Sequence, residues 1–495
     1  MVTYERVIRS IIYLLSSRAI LPVLGVVSAV LVARWLNPQD YAVMALAWIV
    51  VGLIGLVCEL GLGAAIIQFQ DVSEPELNSA FWLMLGAAAL AYIILYSAAP
   101  LTAGFFATPE LTRVLRVLGL PAMLTVIRIV PESLLRKRLH LDRLVIAEVV
   151  AALVAIPLMV ILARCGAGVW ALVGGSATTW LLECSLMFAF SGWRPGRLVG
   201  THRFGPLFRY SGAVLGSRLF WAICAASDRA VLGRLAGDAS LGFYAMARQI
   251  AFMPVEKVSL IVNQLTGPIL AEVQGDVDTM RKCLVRSLRI VAWITLPMCL
   301  GALLVAEDAI RFSLTEKWTP AAPIVQVLCL YAGVRSLAIL FPPVLMAAYR
   351  TDFLFRYNFT MATVMPLGFV LGAWWGGGVG VAAVWAIVHP IGAIVMVNVT
   401  RRQLQMSWRV LWRELQSPVL ATGLMAVAAM SAGHVAGALG VHAGWTLPFV
   451  VLAGVTAYGA ALWWLAGPEL HELAMVLRAP LSRAIRWPAS ARSIQ

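Results

Sequence analysis

Residues 143–190 read RLVIAEVVAALVAIPLMVILARCGAGVWALVGGSATTWLLECSLMFAF. This stretch contains two apolar runs, at 143–163 and 168–190, separated only by a short turn that carries glycine. Each run has about the 20 residues that an α-helix needs to cross the hydrocarbon core of a bilayer. The stretch therefore predicts two consecutive membrane-spanning helices, and the same pattern recurs along the chain.

The composition of the whole chain agrees with this interpretation. Of its 495 residues, 61% are hydrophobic and 13% are charged, whereas soluble domains average about 45–50% apolar and about 25% charged residues. No polar stretch is long enough to form a sizeable soluble catalytic domain. The apolar runs of sufficient length lie at 8–32, 42–68, 79–100, 111–133, 143–163, 168–190, 210–232, 240–270, 287–306, 322–346, 355–374, 379–397, 418–438 and 444–466. We therefore predict an all-α integral membrane protein with about 14 transmembrane helices.

The net charge is +14, from 38 Lys and Arg against 24 Asp and Glu. Most of these cations fall in alternate loops, which by the positive-inside rule predicts that both termini are cytoplasmic. The first apolar run is too long for a signal peptide and lacks a clear cleavage site, so we expect it to be retained. The seven cysteines are scattered without metal-type spacing, and no metal site or cofactor is predicted.

Two halves of the chain resemble each other. A shift of 200 residues pairs Ser17-Arg18 with Ser217-Arg218, Arg34 with Arg234, Ala45 with Ala245 and Ala47 with Ala247. A shift of 212 residues pairs Arg138 with Arg350, Gly166 with Gly378 and Gly168 with Gly380. Because an even number of helices separates the equivalent elements, we predict two parallel six-helix repeats, as in transporters whose substrate site lies between the halves. The predicted lobes are 1–209 and 210–400, and 401–495 adds two more helices and a basic cytoplasmic tail.

Several charges lie inside the predicted helices, where each costs about 2.5–3.5 kcal/mol at a helix centre. The cations are Arg18, Arg128, Arg218, Arg229, Arg248, Lys257, Arg289 and Arg335. Arg218 and Arg229 are eleven residues apart, so they lie within about 20° of the same helix face. Tyr244 and Arg248 share a face at i,i+4 spacing. We predict a cationic central cavity for an anionic substrate such as pyrophosphate. Its predicted binding residues are Arg18, Arg218, Arg229, Arg248 and Arg128.

Acidic and aromatic side chains add further candidates. The intramembrane acids are Glu59, Glu132, Glu148, Glu183, Asp228 and Glu256. Each could pair with an arginine; alternatively Asp228 or Glu59 binds a proton or sodium ion that drives transport. Among 18 tryptophans, those lying deep in the predicted helices could stack on a carbohydrate or simply pack. These are Trp48, Trp180, Trp221 and Trp385.

The stretch 33–42, ARWLNPQDYA, and the stretch 59–68, ELGLGAAIIQ, resemble bacterial polysaccharide exporters of the Wzx type. The same resemblance is found in Arg138-Leu139-His140, which leads into Glu148, and in the stretch 166–173, GAGVWALV. The resemblance covers roughly residues 1–400 and points to the multidrug/oligosaccharidyl-lipid/polysaccharide superfamily. It implies a flippase, not an enzyme, that moves an undecaprenyl-pyrophosphate-linked oligosaccharide to the periplasmic leaflet of the inner membrane. Exopolysaccharide, capsule or O-antigen assembly would use the product, with a polysaccharide polymerase as a candidate partner.

Three other functions stay open. A cation or drug antiporter of the same superfamily should have a net acidic cavity. The excess of intramembrane cations argues against this function. A flippase for lipid-linked peptidoglycan precursors would share both fold and composition. A membrane-embedded polymerase or ligase would be expected to carry a large external loop, whereas the longest predicted outer loop lies near 307–321. No nucleotide-binding loop, metal triad or nucleophile–base pair is visible, and nucleic acid is not a predicted partner.

Overall fold

The computed structural model describes residues 24–25, 28–59, 62–63, 66, 73–138, 140–197, 222–252, 255, 276–439 and 443–478. The helices are α1 (Pro38–Glu59), α2 (Glu74–Phe106), α3 (Glu110–Ile127), α4 (Ile129–Lys137), α5 (Leu141–Arg164), α6 (Val169–Ser191), α7 (222–235), α8 (237–252), α9 (Val277–Leu304), α10 (Ala306–Ser313), α11 (Ala322–Ala338), α12 (Phe341–Ala347), α13 (Thr351–Gln403), α14 (Trp408–Ala438) and α15 (Ala443–Arg478). A 3₁₀ helix (Glu316–Ala321) lies between α10 and α11. The all-α prediction is confirmed.

Within the described residues, ten helical stretches are long and apolar enough to cross a membrane. One of them, in α13, contains two predicted spans, because Gly376 and Gly377 have non-helical backbone angles. The predicted spans at 8–32, 42–68, 210–232 and 240–270 lie partly outside the described residues. The chain is therefore a multi-pass membrane protein, and the count of fourteen helices stays a prediction.

The stretch near 307–321 is folded, although the sequence analysis predicts a loop there. It forms α10 and the 3₁₀ helix. The reason is Trp318, which is fully buried. Its indole Nε1 donates a hydrogen bond of 2.9 Å to the carbonyl of Ala33, and its ring meets Tyr41 edge to face at 5.2 Å. A buried indole with a satisfied N–H anchors this segment against the start of α1.

The chain divides into two compact units. The first comprises Met1–Lys257, Ala306–Arg335 and Tyr349–Val395, and the second comprises Val258–Val305, Ser336–Ala348 and Met396–Gln495. In the second unit α14 packs against α9 and α15. Arg289 of α9 forms an ion pair with Glu414 of α14, and Tyr458 of α15 donates a hydrogen bond of 2.6 Å to the carbonyl of Trp293. Arg289 is thus neutralised within its own unit. The predicted lobes 1–209, 210–400 and 401–495 stay a prediction.

Two glycines of the first unit have matching conformations and matching neighbours. Gly168, before α6, has φ 55° and ψ −133°, and Gly377 in α13 has φ 52° and ψ −128°. A Cβ atom on Gly168 would lie 3.0 Å from Asp40 Oδ1, and one on Gly377 would lie 3.2 Å from Ser240 Oγ. Asp40 and Ser240 are separated by 200 residues, an offset at which the sequence repeats. Gly168 and Gly377, in contrast, are separated by 209 residues and not by the 212 that pairs Gly168 with Gly380 in the sequence. Both positions require glycine, because L side chains rarely adopt this φ. Recurring contacts of this kind are expected in a duplicated chain.

Candidate functional site

The first unit contains a cavity of about 740 Å³, which is within the usual size of small-molecule sites. Residues of α1, α5, α6, α7 and α8 line it. The polar and aromatic residues of the lining are Ser28, Tyr41, Trp48, Glu148, Ser176, Thr179, Glu183, Arg229, Arg248, Gln249 and Phe252. Ala45 and Ala245, which the repeat pairs, both belong to the lining as well. The repeated elements therefore face a common space.

Asp228 organises the wall of the cavity that α7 and α8 form. Its side chain is fully buried and forms an ion pair with the guanidinium of Arg248. The hydroxyl of Tyr244 donates to Asp228 Oδ2 at 2.9 Å, and the indole N–H of Trp385 donates to the same atom at 3.2 Å. The backbone N–H of Arg229 donates to Oδ1 at 2.7 Å. A buried carboxylate with this many donors is well compensated and holds the Arg248 side chain in place.

Arg229 and Arg248 both line the cavity and share this one carboxylate. Arg229 Nε lies 3.7 Å from Asp228 Oδ1 and is buried without a hydrogen-bond partner among the described residues. The Arg248 guanidinium also lies over the ring of Phe252, 4.9 Å from its centroid. Two positive charges against one negative charge leave a net positive wall with an unsatisfied donor. Such a wall is suited to bind an anion.

The wall that α5 and α6 form carries acidic side chains. Its charged lining residues, within the described part of the chain, are Glu148 and Glu183. Arg128, a predicted binding residue, forms an ion pair with Glu183 and also lies 3.7 Å from Glu132. Arg128 is not part of the described lining and supports the cavity through Glu183. One wall of the described lining therefore carries two arginines that share one carboxylate, and the other carries two glutamates, one of which is paired with Arg128.

The remaining predicted site residues are placed as follows. Arg18 and Arg218 lie outside the described residues. Glu59 ends α1, close to Gly63, where an added Cβ atom would lie 3.0 Å from Glu59 Oε1. Glu59 does not belong to the described cavity lining, and Asp228 is engaged by Arg248. Ion coupling through either acid stays a prediction. No three His, Cys, Asp or Glu side chains of the described residues could together hold a metal ion.

Of the polar lining residues of α6, the sequence analysis named Glu183 among the intramembrane acids but did not single out Ser176 or Thr179. Ser176, Thr179 and Glu183 follow one another at spacings of three and four residues, which puts them on one helix face. This spacing can indicate a helix face that lines a cavity, but the same polar stripe also occurs where two helices pack against each other. The role of Trp385 as a donor to Asp228 was not detectable, because the two residues are 157 positions apart.

Hydrogen bonds join the two predicted halves at one end of the first unit. Arg34 Nε donates to the carbonyl of Ser313 at 3.0 Å, and Thr108 Oγ1 donates to Asp238 Oδ1 at 2.9 Å. In the predicted orientation these residues lie at the outer ends of their helices. We call this set of contact residues the outer seal. Its members are Ala33, Arg34, Pro38, Thr108, Asp238, Gly242, Ser313 and Trp318.

Many membrane-crossing helices and a cavity with charged and aromatic lining define a multi-pass membrane protein with a candidate binding site. The fold is similar to that of a solved lipid II flippase, MurJ, in an inward closed conformation, with a TM-score of 0.71. The two sequences are 14% identical, and the match covers 94% of this chain and 100% of the MurJ chain. This likeness establishes the fold.

The sequence narrows the assignment further. The chain belongs to the family of polysaccharide biosynthesis proteins, which matches residues 31–323. The teichuronic acid biosynthesis protein TuaB of Bacillus subtilis is 25% identical over 405 residues, which is 81% of this chain and 84% of TuaB. The succinoglycan biosynthesis transport protein ExoT of Rhizobium meliloti is 24% identical over 372 residues, 75% of each chain. The predicted resemblance to polysaccharide exporters is confirmed.

Proposed function

We propose that the chain flips an undecaprenyl-pyrophosphate-linked oligosaccharide repeat unit across the bacterial inner membrane, for exopolysaccharide, capsule or O-antigen assembly. Arg229 and Arg248 bind the pyrophosphate in the cavity while the lipid tail stays in the bilayer. The observation that carries the proposal is the sharing of one buried carboxylate, Asp228, by two cavity-lining arginines. Membership in the family of polysaccharide biosynthesis proteins supports the same conclusion.

Arginine suits this role for physical reasons. Its planar guanidinium presents a fork of N–H donors that matches the oxygens of a phosphate group and stays charged at all relevant pH values. Hydrogen bonds to charged groups are about twice as strong as neutral ones. Asp228 fixes Arg248 before the substrate arrives, so less side-chain freedom is lost on binding. Arg229 keeps a buried, unsatisfied Nε, which a phosphate oxygen would satisfy.

Transport follows from alternating access between the two halves. The outer seal joins the two predicted halves at one end of the first unit, so release on that side requires the Arg34–Ser313 and Thr108–Asp238 contacts to break. A parallel-repeat transporter does this by rocking one half against the other. With both termini cytoplasmic, the substrate would move from the cytoplasmic to the periplasmic leaflet. A proton or sodium ion bound at Glu59 or Asp228 would drive the cycle, and a polysaccharide polymerase would consume the product.

Arg229→Gln is expected to reduce polymer export by about tenfold to a hundredfold at unchanged membrane abundance. A hydrogen bond to a charged group contributes about 1.5–3 kcal/mol, and about 1.4 kcal/mol is a factor of ten. The measurement is exported polymer in a deletion strain that carries the variant, together with the amount of lipid-linked repeat unit left on the cytoplasmic side.

Arg234→Gln is the matched control, because Arg234 is an exposed residue of the same helix and lies outside the cavity lining. It should export at the wild-type level. The proposal fails if the deletion strain still exports polymer without accumulating lipid-linked units. Wild-type export by a stably inserted Arg229→Gln variant would remove Arg229 from the site and leave the flippase assignment standing.

A further inference from the structure

Trp48 presents an aromatic surface to the cavity. It belongs to the lining, and 44% of its surface is exposed. Trp180 of α6 meets it edge to face, with ring centroids 5.6 Å apart, and is itself buried. A buried ring of this kind holds its partner in a defined orientation. Trp48 therefore offers a fixed aromatic face, while Trp180 acts as its support.

Hydrogen-bond acceptors lie on the helix that carries this support. Glu183 is one turn from Trp180 on α6 and lines the cavity. Arg128 contacts its Oε2 atom, which orients the carboxylate. Thr179, also in the lining, donates its hydroxyl hydrogen to the carbonyl of Gly175 at 2.9 Å. Its oxygen lone pairs therefore remain available to accept hydrogen bonds.

We propose that Trp48, Thr179 and Glu183 form a subsite for the sugar attached to the pyrophosphate, and that this subsite takes a neutral, hydroxyl-bearing sugar. A sugar ring offers an apolar C–H face to an aromatic ring and hydroxyl donors to a carboxylate. The pyrophosphate would meet Arg229 and Arg248 on the other wall of the same cavity. This inference rests on the proposed function and extends it to the glycan.

The charges of this wall determine which sugar fits. The described lining residues from α1, α5 and α6 include Glu148 and Glu183 but no Lys or Arg. A uronic acid or a phosphorylated sugar at this subsite would find no free cationic partner on the described part of this wall, because the nearby Arg128 is already paired with Glu183. Its anionic group would also lie close to acidic lining residues, which is a basis for rejection. A neutral hexose or N-acetylhexosamine meets no such repulsion.

The test is equilibrium binding to the purified full-length chain in nanodiscs with two probes. These are undecaprenyl pyrophosphate and the same lipid bearing one N-acetylglucosamine. Trp48→Ala should weaken binding of the glycosylated lipid by about tenfold and change binding of the bare lipid by less than about twofold. Trp48→Phe should recover most of the loss, because it keeps an aromatic face. Arg229→Gln should weaken both probes.

Trp463→Ala is the matched control, since Trp463 is 74% exposed on α15 and lies outside the cavity lining. Glu183→Gln should raise the affinity for a lipid bearing glucuronic acid relative to the wild-type chain. Equal effects of Trp48→Ala on both probes, or none on either, would overturn the sugar subsite while the flippase proposal stands. If the wild-type chain binds neither probe, the proposed function itself fails.

Discussion

Asp228→Ala is expected to abolish polymer export and to lower the free energy of unfolding by about 3–5 kcal/mol, the usual cost of removing one partner of a buried ion pair. The substitution leaves the Arg248 guanidinium without its carboxylate. It also removes the acceptor of the Tyr244 hydroxyl and of the Trp385 indole. Export would be measured in the complemented deletion strain, and stability by thermal unfolding of the purified protein.

A double variant separates the structural role of this pair from its role in binding. Asp228→Leu combined with Arg248→Met replaces the buried ion pair by apolar side chains, which is often neutral or stabilising. We expect stability near that of the wild-type chain but no recovery of export, because Arg248 is gone. Export at the wild-type level from this double variant would show that Arg248 does not bind the substrate.

The ion pair between Arg289 and Glu414 in the second unit provides the matched control for Asp228→Ala. Neither residue belongs to the described cavity lining. Glu414→Ala should therefore reduce stability, but the export per inserted molecule should stay at the wild-type level. A loss of export per molecule as large as that of Asp228→Ala would mean that buried charges support transport only through stability.

Gly242→Val is expected to open the outer seal and to stop transport. A Cβ atom on Gly242 would lie 1.9 Å from the backbone carbonyl oxygen of Pro38, far inside van der Waals contact. Since that neighbour is backbone, α8 must move away from the start of α1. The outer seal could then no longer form, and alternating access would be lost.

The measurement uses a single cysteine at Ala45, a cavity-lining position, in a chain whose native cysteines are replaced. A membrane-impermeant maleimide is added to the outer side. The cysteine should be unreactive in the wild-type background and reactive with Gly242→Val. Gly52→Val is the control: it makes the same change in helix propensity, and no atom lies within 4 Å of its Cβ position. Labelling equal to wild type in the Gly242→Val chain would show that this contact does not control access.

Both predictions depend on features that sequence reasoning reached only in part. Asp228, Arg229 and Arg248 were recognisable as candidates because charged residues inside apolar helices are costly and are seldom retained without a role. Their contacts with one another could not be recognised from the sequence, because the groups that meet Asp228 come from three different helices, α7, α8 and α13. That Glu148 and Glu183 form an acidic wall of the cavity was missed for the same reason.

The sequence by itself determined that this protein is a bundle of membrane-spanning helices, since the length and apolar character of its runs leave few other structures for the chain in a bilayer. It also indicated the duplication and the family. Only the tertiary structure decided which intramembrane charges meet, that Arg128 lies behind Glu183, and that Gly242 lies against Pro38. The physical reason is that a hydrophobic pattern specifies where a helix runs, whereas the partner of each polar side chain depends on how distant helices pack.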